Sequence, residues 1–233
     1  MNIPSFVKLL ALPILLGTFI FCNKGGTVEP GETEYMPACK SPHYYMLSDF
    51  KSGHASILSP DRKSQVLLTK SFSYEVFHEG RGIGTVPPFA DVYSNVQVMW
   101  APDSAKFSIT YSDSSEIGAF YVHLYEVHAK GLTEFTKPPH IAFDDFKKKY
   151  YCAERGDNIV TLGWTPDSRL VFLVGEVFPT SDCGDISGRE GGYLVDLDGR
   201  IIHRYDDKQT MAIEMACRKS SEALLPSPRG VNP

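Results

Sequence analysis

Acid–base or metal chemistry would have to be built from seven histidines and 28 acidic residues, so their spacing is weighed first. His123 and His128 are five apart in a segment of strand character. An odd spacing in a strand sends the two side chains to opposite faces, so they do not share a metal ion. Asp182-Cys183-Gly184-Asp185-Ile186-Ser187-Gly188-Arg189 places a serine among acidic and glycine residues. No histidine base accompanies it, and a serine without its base is not activated. Gly80-Arg81-Gly82-Ile83-Gly84 lacks both the dinucleotide-binding spacing and the Lys-Ser/Thr ending of a phosphate loop. Asp144 with Asp145, and Asp196 with Asp198, lack the Asp-x-Asp-x-Asp-Gly order of a calcium loop and read as turn residues. The expectation is no catalytic residue, no cofactor and no metal.

Cysteine is the remaining reactive type. No CxxC is present, which argues against a zinc knuckle or a dithiol redox site. Cys22 directly follows an apolar run, Leu9–Phe21, preceded by the single charge Lys8. That run is short of the ~20 residues of a membrane span and matches the core of an export signal. Residues 1–22 are therefore expected to be a signal peptide or membrane anchor. Cys22 is a lipidation candidate, although Phe21 stands where lipoprotein signals carry a small residue. Export to the periplasm, cell envelope or exterior favours disulfides among Cys39, Cys152, Cys183 and Cys217. Three pairings are open; Cys152–Cys183 with Cys39–Cys217 is preferred.

The elements that must position these residues are mostly strands. Residues 23–38 read as a flexible linker, 39–225 as a β-rich globular domain and 226–233 as a disordered tail. The chain has 233 residues, 42% hydrophobic, with 14 Phe and 12 Tyr, a composition that leans toward strands. A formal charge of −5 argues against a nucleic-acid partner, which would call for a basic face. Alternation predicts strands at 96–100, 106–111 and 120–127, and the unbroken apolar run Leu170–Val174 predicts a central strand. Residues 193–205 read as a hairpin turning tightly on Asp198-Gly199. Helices are expected at 208–225 and, more briefly, at 142–151, where Lys147–Lys149 form a solvated surface.

Three segments repeat. Ile57-Leu58-Ser59-Pro60-Asp61-Arg62, Met99-Trp100-Ala101-Pro102-Asp103-Ser104 and Gly163-Trp164-Thr165-Pro166-Asp167-Ser168 each precede an apolar strand. Proline fixes the first corner angle, and aspartate can accept a hydrogen bond from the backbone beyond it. The corner residues are Pro60, Asp61, Trp100, Pro102, Asp103, Trp164, Pro166 and Asp167. The pattern resembles the Trp-Ser-Pro-Asp-Gly signature of TolB-type and related WD-like β-propellers over residues 54–205. In that family the motif joins two strands and a later strand closes the blade. Tyr193–Gly199 is similar to that closing strand, and Tyr121–Val127 more loosely so. Arg62, Ser104 and Ser168 replace the family's glycine, and Leu58 replaces its tryptophan. The resemblance implies an all-β, mainly antiparallel, propeller-like fold of three or four degenerate blades with a short C-terminal helix. A β-sandwich or open meander is the alternative.

Scaffold repeats without catalytic residues point to a non-catalytic envelope binding or scaffold protein. It would present loops to a protein or small-ligand partner and touch the membrane only through its N-terminal segment. The candidate loops are Phe77–Pro88, with Gly80, Arg81, Gly82 and Gly84, and Pro179–Gly192, with Asp185, Arg189 and Glu190. An exported hydrolase with a site not recognisable from sequence is the alternative, and a purely structural envelope protein the third.

Overall fold

The computed structural model describes residues 43–45, 55–69, 73–86, 96–112, 119–150, 158–178 and 183–222, all within the unit Glu34–Pro233. The expected signal segment, linker and tail, with Cys22, Cys39 and Cys152, lie outside the described residues. The fold is all-β and antiparallel in its sheets, with two helices. Strands β2 (Ala55–Leu58), β3 (Ser64–Leu68), β4 (Tyr74–His78) and β5 (Arg81–Val86) form the first sheet in chain order. The second contains β6 (Val96–Trp100), β7 (Lys106–Ser112), β8 (Phe120–His128) and β9 (Gly131–Phe135). A short β1 (His43–Tyr45) pairs with β6 at the inner edge. The third contains β10 (Ile159–Trp164), β11 (Leu170–Glu176), β12 (Glu190–Asp196) and β13 (Ile201–Tyr205). Among the described residues these four-stranded meanders form no closed barrel; the arrangement is propeller-like.

Alternation decides which face each strand buries. Val66 and Val76 from the first sheet meet Val98, Phe107 and Ile109 from the second in one core. The opposite face of the second sheet, through Met99, Val122 and Leu124, packs with Trp164, Val171 and Leu173 of the third. Burying one such Leu, Ile or Phe side chain contributes about 1.5–3 kcal/mol. The outer face of the third sheet, Phe172, Val174 and Leu194, packs against Ile213 of α2 (Asp207–Glu222). That helix starts on a reciprocal cap. Asp206 Oδ1 accepts the Gln209 N–H at 2.9 Å, and Gln209 Oε1 accepts the Asp206 N–H at 3.0 Å, satisfying two donors at the helix start.

Four local expectations change. Helix α1 spans Lys137–Lys149 rather than 142–151. Pro138-Pro139 reads as a breaker, yet proline sits comfortably in a first turn, where its missing N–H would have no intrahelical partner. The 193–205 hairpin does not turn on two residues. Its strands end at Asp196 and resume at Ile201, and Gly199 alone there has positive φ (88°). The first candidate loop, as far as Val86, is instead the β4–β5 hairpin. Its two-residue turn is Glu79-Gly80, with φ of 50° and 76°, as a primed turn requires. In the second candidate loop, Glu190–Gly192 belong to β12. A Cβ at Gly191 would lie 3.1 Å from the Phe146 ring, and one at Gly192 2.9 Å from Phe172. These glycines flatten the strand for close packing; they do not loosen a loop.

Candidate functional site

The three repeats occupy equivalent corners, joining β2 to β3, β6 to β7 and β10 to β11. In each, the fourth residue of the turn donates its N–H to the first carbonyl: Arg62 to Ser59 (2.9 Å), Ser104 to Ala101 (3.0 Å) and Ser168 to Thr165 (2.8 Å). The aspartate carboxylates accept the N–H two residues on, from Lys63, Ala105 and Arg169. Thr165 and Arg169 hydrogen-bond the Asp167 carboxyl and hold its pKa down to about 2. Arg62, Ser104 and Ser168 all have positive φ, at 65°, 64° and 61°. They follow the turn aspartates, and each carries a left-handed penalty of about 1–2 kcal/mol.

Two of those replacements have a partner in the preceding sheet. The Asp61 N–H donates to Ser104 Oγ at 3.0 Å, and the Asp103 N–H donates to Ser168 Oγ at 2.9 Å. The tryptophans reach back in the same direction. Trp100 Nε1–H donates to the Ile57 carbonyl at 3.3 Å, and Trp164 Nε1–H to the Met99 carbonyl at 3.4 Å. Each corner is thereby tied to the one before it. The first copy has no earlier sheet among the described residues, and it lacks both devices: Leu58, 41% exposed, replaces the tryptophan, and Arg62 replaces the serine. Pro60, Pro102 and Pro166 sit at the first corner position of each turn. The corner residues are thus gathered along one edge, in structural roles.

The other sequence candidates are scattered. Gly80, Arg81, Gly82 and Gly84 lie on the β4–β5 hairpin, where a Cβ at Gly84 would meet Leu132 at 3.2 Å. Asp185 lies in a short 3-10 helix, Gly184–Ile186. Arg189 Nη1 bonds Asp207 at 2.9 Å, and the Glu190 N–H donates to the same carboxylate at 2.8 Å. Cys183 and Cys217 are each disulfide-bonded; their expected partners lie outside the described residues. Asp144 and Asp145 lie within α1 rather than in a turn, and Asp145 is a bidentate partner of Arg204, at 2.8 and 2.9 Å, joining α1 to β13. Those hydrogen bonds hold its carboxyl below the usual range.

A cleft forms elsewhere, from residues the sequence reading set aside. Strand β8 has nine residues and β9 five. Their ladder ends at Leu124–Phe135, so the outer edge of β8 over Phe120–His123 has no strand partner among the described residues. The chain instead turns at Thr136 into α1. The notch left behind measures about 160 Å³; Tyr121, Val122 and His123 of β8 form one wall, Glu134 and Thr136 another. Pro139 and His140 of α1 and Ile159 of β10 complete it. His123 Nδ1 lies 2.6 Å from Glu134 Oε1. His140 Nδ1 lies 2.6 Å from the Thr136 carbonyl. A carbonyl can only accept, so that nitrogen donates and Nε2 points its remaining capacity elsewhere.

His123 is held by rings. Its imidazole stacks within 10° of the Tyr125 plane at 6.3 Å and within 25° of Tyr111 at 5.8 Å. Tyr111 in turn stacks on Tyr121 at 5.2 Å. His128 lies apart from the cleft residues in its bonding, at 2.9 Å from Thr133 Oγ1. The signal for the His123–Glu134 pair was the β8–β9 register: Glu134 lies opposite Tyr125, one diagonal step from His123 on the same face, within reach of a long side chain. Among the described residues no three His, Cys, Asp or Glu side chains come together to hold a metal ion.

No protein-family model matches the chain, and no curated protein matches it. Among solved structures, one described as the crystal structure of the eukaryotic initiation factor is similar with a TM-score of 0.38 and 9% identity. The likeness covers 69% of this chain and 34% of that one. The chain therefore spans about a third of that structure's length, and a likeness at this level carries no argument about function.

Proposed function

We propose that this chain is a non-catalytic binding module of the cell envelope, tethered through its N-terminal segment and related in plan to TolB-type and WD-like propellers. In this reading the cleft at the end of β9 is its recognition site, and the repeat corners only hold the sheets. The observation that carries the reading is the gathering of Glu134, His123 and His140 at an uncovered strand edge. Scaffold repeats take up the conspicuous motif residues, and function on such scaffolds lives in sites added to them. Disulfides through Cys183 and Cys217 suit an exported domain; Cys152 and Cys39 are the proposed partners.

The test is site-specific photo-crosslinking with the full chain in its native envelope. A crosslinker at position 140 captures a discrete partner, and one at position 62, in the first corner, does not. Intact protein that yields no product above background at either position overturns the proposal.

A hydrolase is the second reading, favoured by the His123–Glu134 pair, because a carboxylate orienting an imidazole is the usual setting of a general base. Turnover of a peptide or glycoside panel that disappears in His123→Gln would replace the first reading with this one.

A further inference from the structure

The cleft's chemistry specifies what it would hold. Among the described residues that line it there is neither lysine nor arginine, and Glu134 is the one carboxylate. Glu134 Oε1 faces His123 Nδ1, and its second oxygen has no hydrogen-bond partner among the described residues. On the opposite wall the Thr136 carbonyl fixes the proton of His140 on Nδ1. A neutral imidazole with Nδ1 protonated is an acceptor at Nε2. Two acceptors, one anionic, therefore face a cleft floored by Val122, Pro139 and Ile159. An anion would meet the Glu134 charge with no cation to offset it. A purely apolar group would take water from the second Glu134 oxygen and offer it no partner in return, which is unfavourable.

Size narrows the class. Drug-sized ligand pockets run to roughly 300–1,000 Å³, and this cleft is about 160 Å³. It suits the end of one long side chain. The apolar floor would carry a methylene stem, and the acceptors would take the head. We infer that the cleft binds a single guanidinium or ammonium side chain presented by a protein or peptide partner. The inference rests on the binding-module reading and names the ligand class of that same cleft.

The test uses amide-capped single amino acids as probes, titrated into the full mature chain at about pH 8, above the ordinary histidine range, and followed by ¹H–¹⁵N NMR. Capped arginine and capped lysine are the cations, capped citrulline is the neutral isostere of arginine, and capped glutamate is the anion. The expected result is saturable shifts at His123, Glu134 and His140 with the cations, at a Kd on the order of 1 mM, equivalent to about 4 kcal/mol. Citrulline binds at least about tenfold more weakly, a difference of about 1.4 kcal/mol, and glutamate shifts nothing. Glu134→Gln weakens the cations by about tenfold while its remaining amide spectrum stays that of the folded protein. Citrulline or glutamate binding the cleft as well as arginine overturns the cationic class and leaves the binding-module reading standing. If no probe shifts the cleft, the cation proposal falls, and crosslinking from position 140 decides the broader reading separately.

Discussion

The corner edge and the cleft are opposites in construction. The corner edge repeats: the same turn, aspartate and left-handed residue occur three times, and the second and third copies reach back to the copy before. The cleft is not part of that repeat and lies where β9 stops four residues short of the start of β8. At the corners, polar groups are spent on one another, as with the Asp103 N–H on Ser168 Oγ. In the cleft, Glu134 and His140 each have one atom engaged, Oε1 and Nδ1, and the other has no partner among the described residues. Repetition marks what joins the sheets; the break in repetition marks the site proposed to bind.

The sharpest way to break that contrast is at the best-buried corner. Trp164 is 1% exposed and lies in the core between the second and third sheets. Trp164→Ala is expected to cost about 3–5 kcal/mol, read from urea unfolding. Trp100→Ala, at a half-buried position, costs less. Equal losses would mean that the two joints are not graded as described.

Alkali strains the cores between the sheets. Burial raises the pKa of Tyr74, Tyr125 and Tyr193 above the ordinary tyrosine value. A raised folded pKa gives stability that is complete below the unfolded value and lost as pH rises past it. Stability should therefore hold to about pH 10 and then fall by up to about 1.4 kcal/mol per pH unit for each buried tyrosine. Urea midpoints at increasing pH check this; a flat profile to about pH 11.5 would refute it.

Smaller effects should differ in sign between corners. Arg62→Gly removes the left-handed penalty with no inter-sheet bond to lose, and should stabilise by about 1 kcal/mol. Ser168→Gly removes the same penalty but gives up a part-buried hydrogen bond, leaving Asp103 without its acceptor, and should be neutral to destabilising by about 1 kcal/mol. Matching gains at both sites would show that the serine is no joint. Least of all, Glu134→Gln in the cleft should change thermal stability by no more than about 0.5 kcal/mol, because the group is partly exposed and the role proposed for it is recognition.

Much of the corner edge was legible because turn chemistry is local. Pro60, Pro102 and Pro166 with their aspartates announce the turns within four residues. Ser104 and Ser168 were visible only as departures from glycine, because the amides that explain them lie 43 and 65 residues away along the chain. The start of α1 was hidden by Pro138-Pro139, which carry the same local signal as breakers and as first-turn residues. Gly191 and Gly192 looked like loop because the Phe146 and Phe172 rings that demand them are remote in sequence. The cleft was hidden for a related reason. Comparing His123 with His128 along the strand missed Glu134 across it, and neither comparison shows that β9 ends early.

The three equivalent corner amides provide the most direct test that repetition here means joining. The Asp61 and Asp103 N–H groups have serine acceptors in the following corner, whereas Asp167, at the last of the described corners, has none among the described residues. Residue-resolved hydrogen exchange on the full chain should find Asp61 and Asp103 protected and Asp167 fast, with Ser168→Gly releasing Asp103 while Asp61 keeps its protection. Equal exchange at all three amides, or no change at Asp103 on removing the Ser168 hydroxyl, would contradict the account.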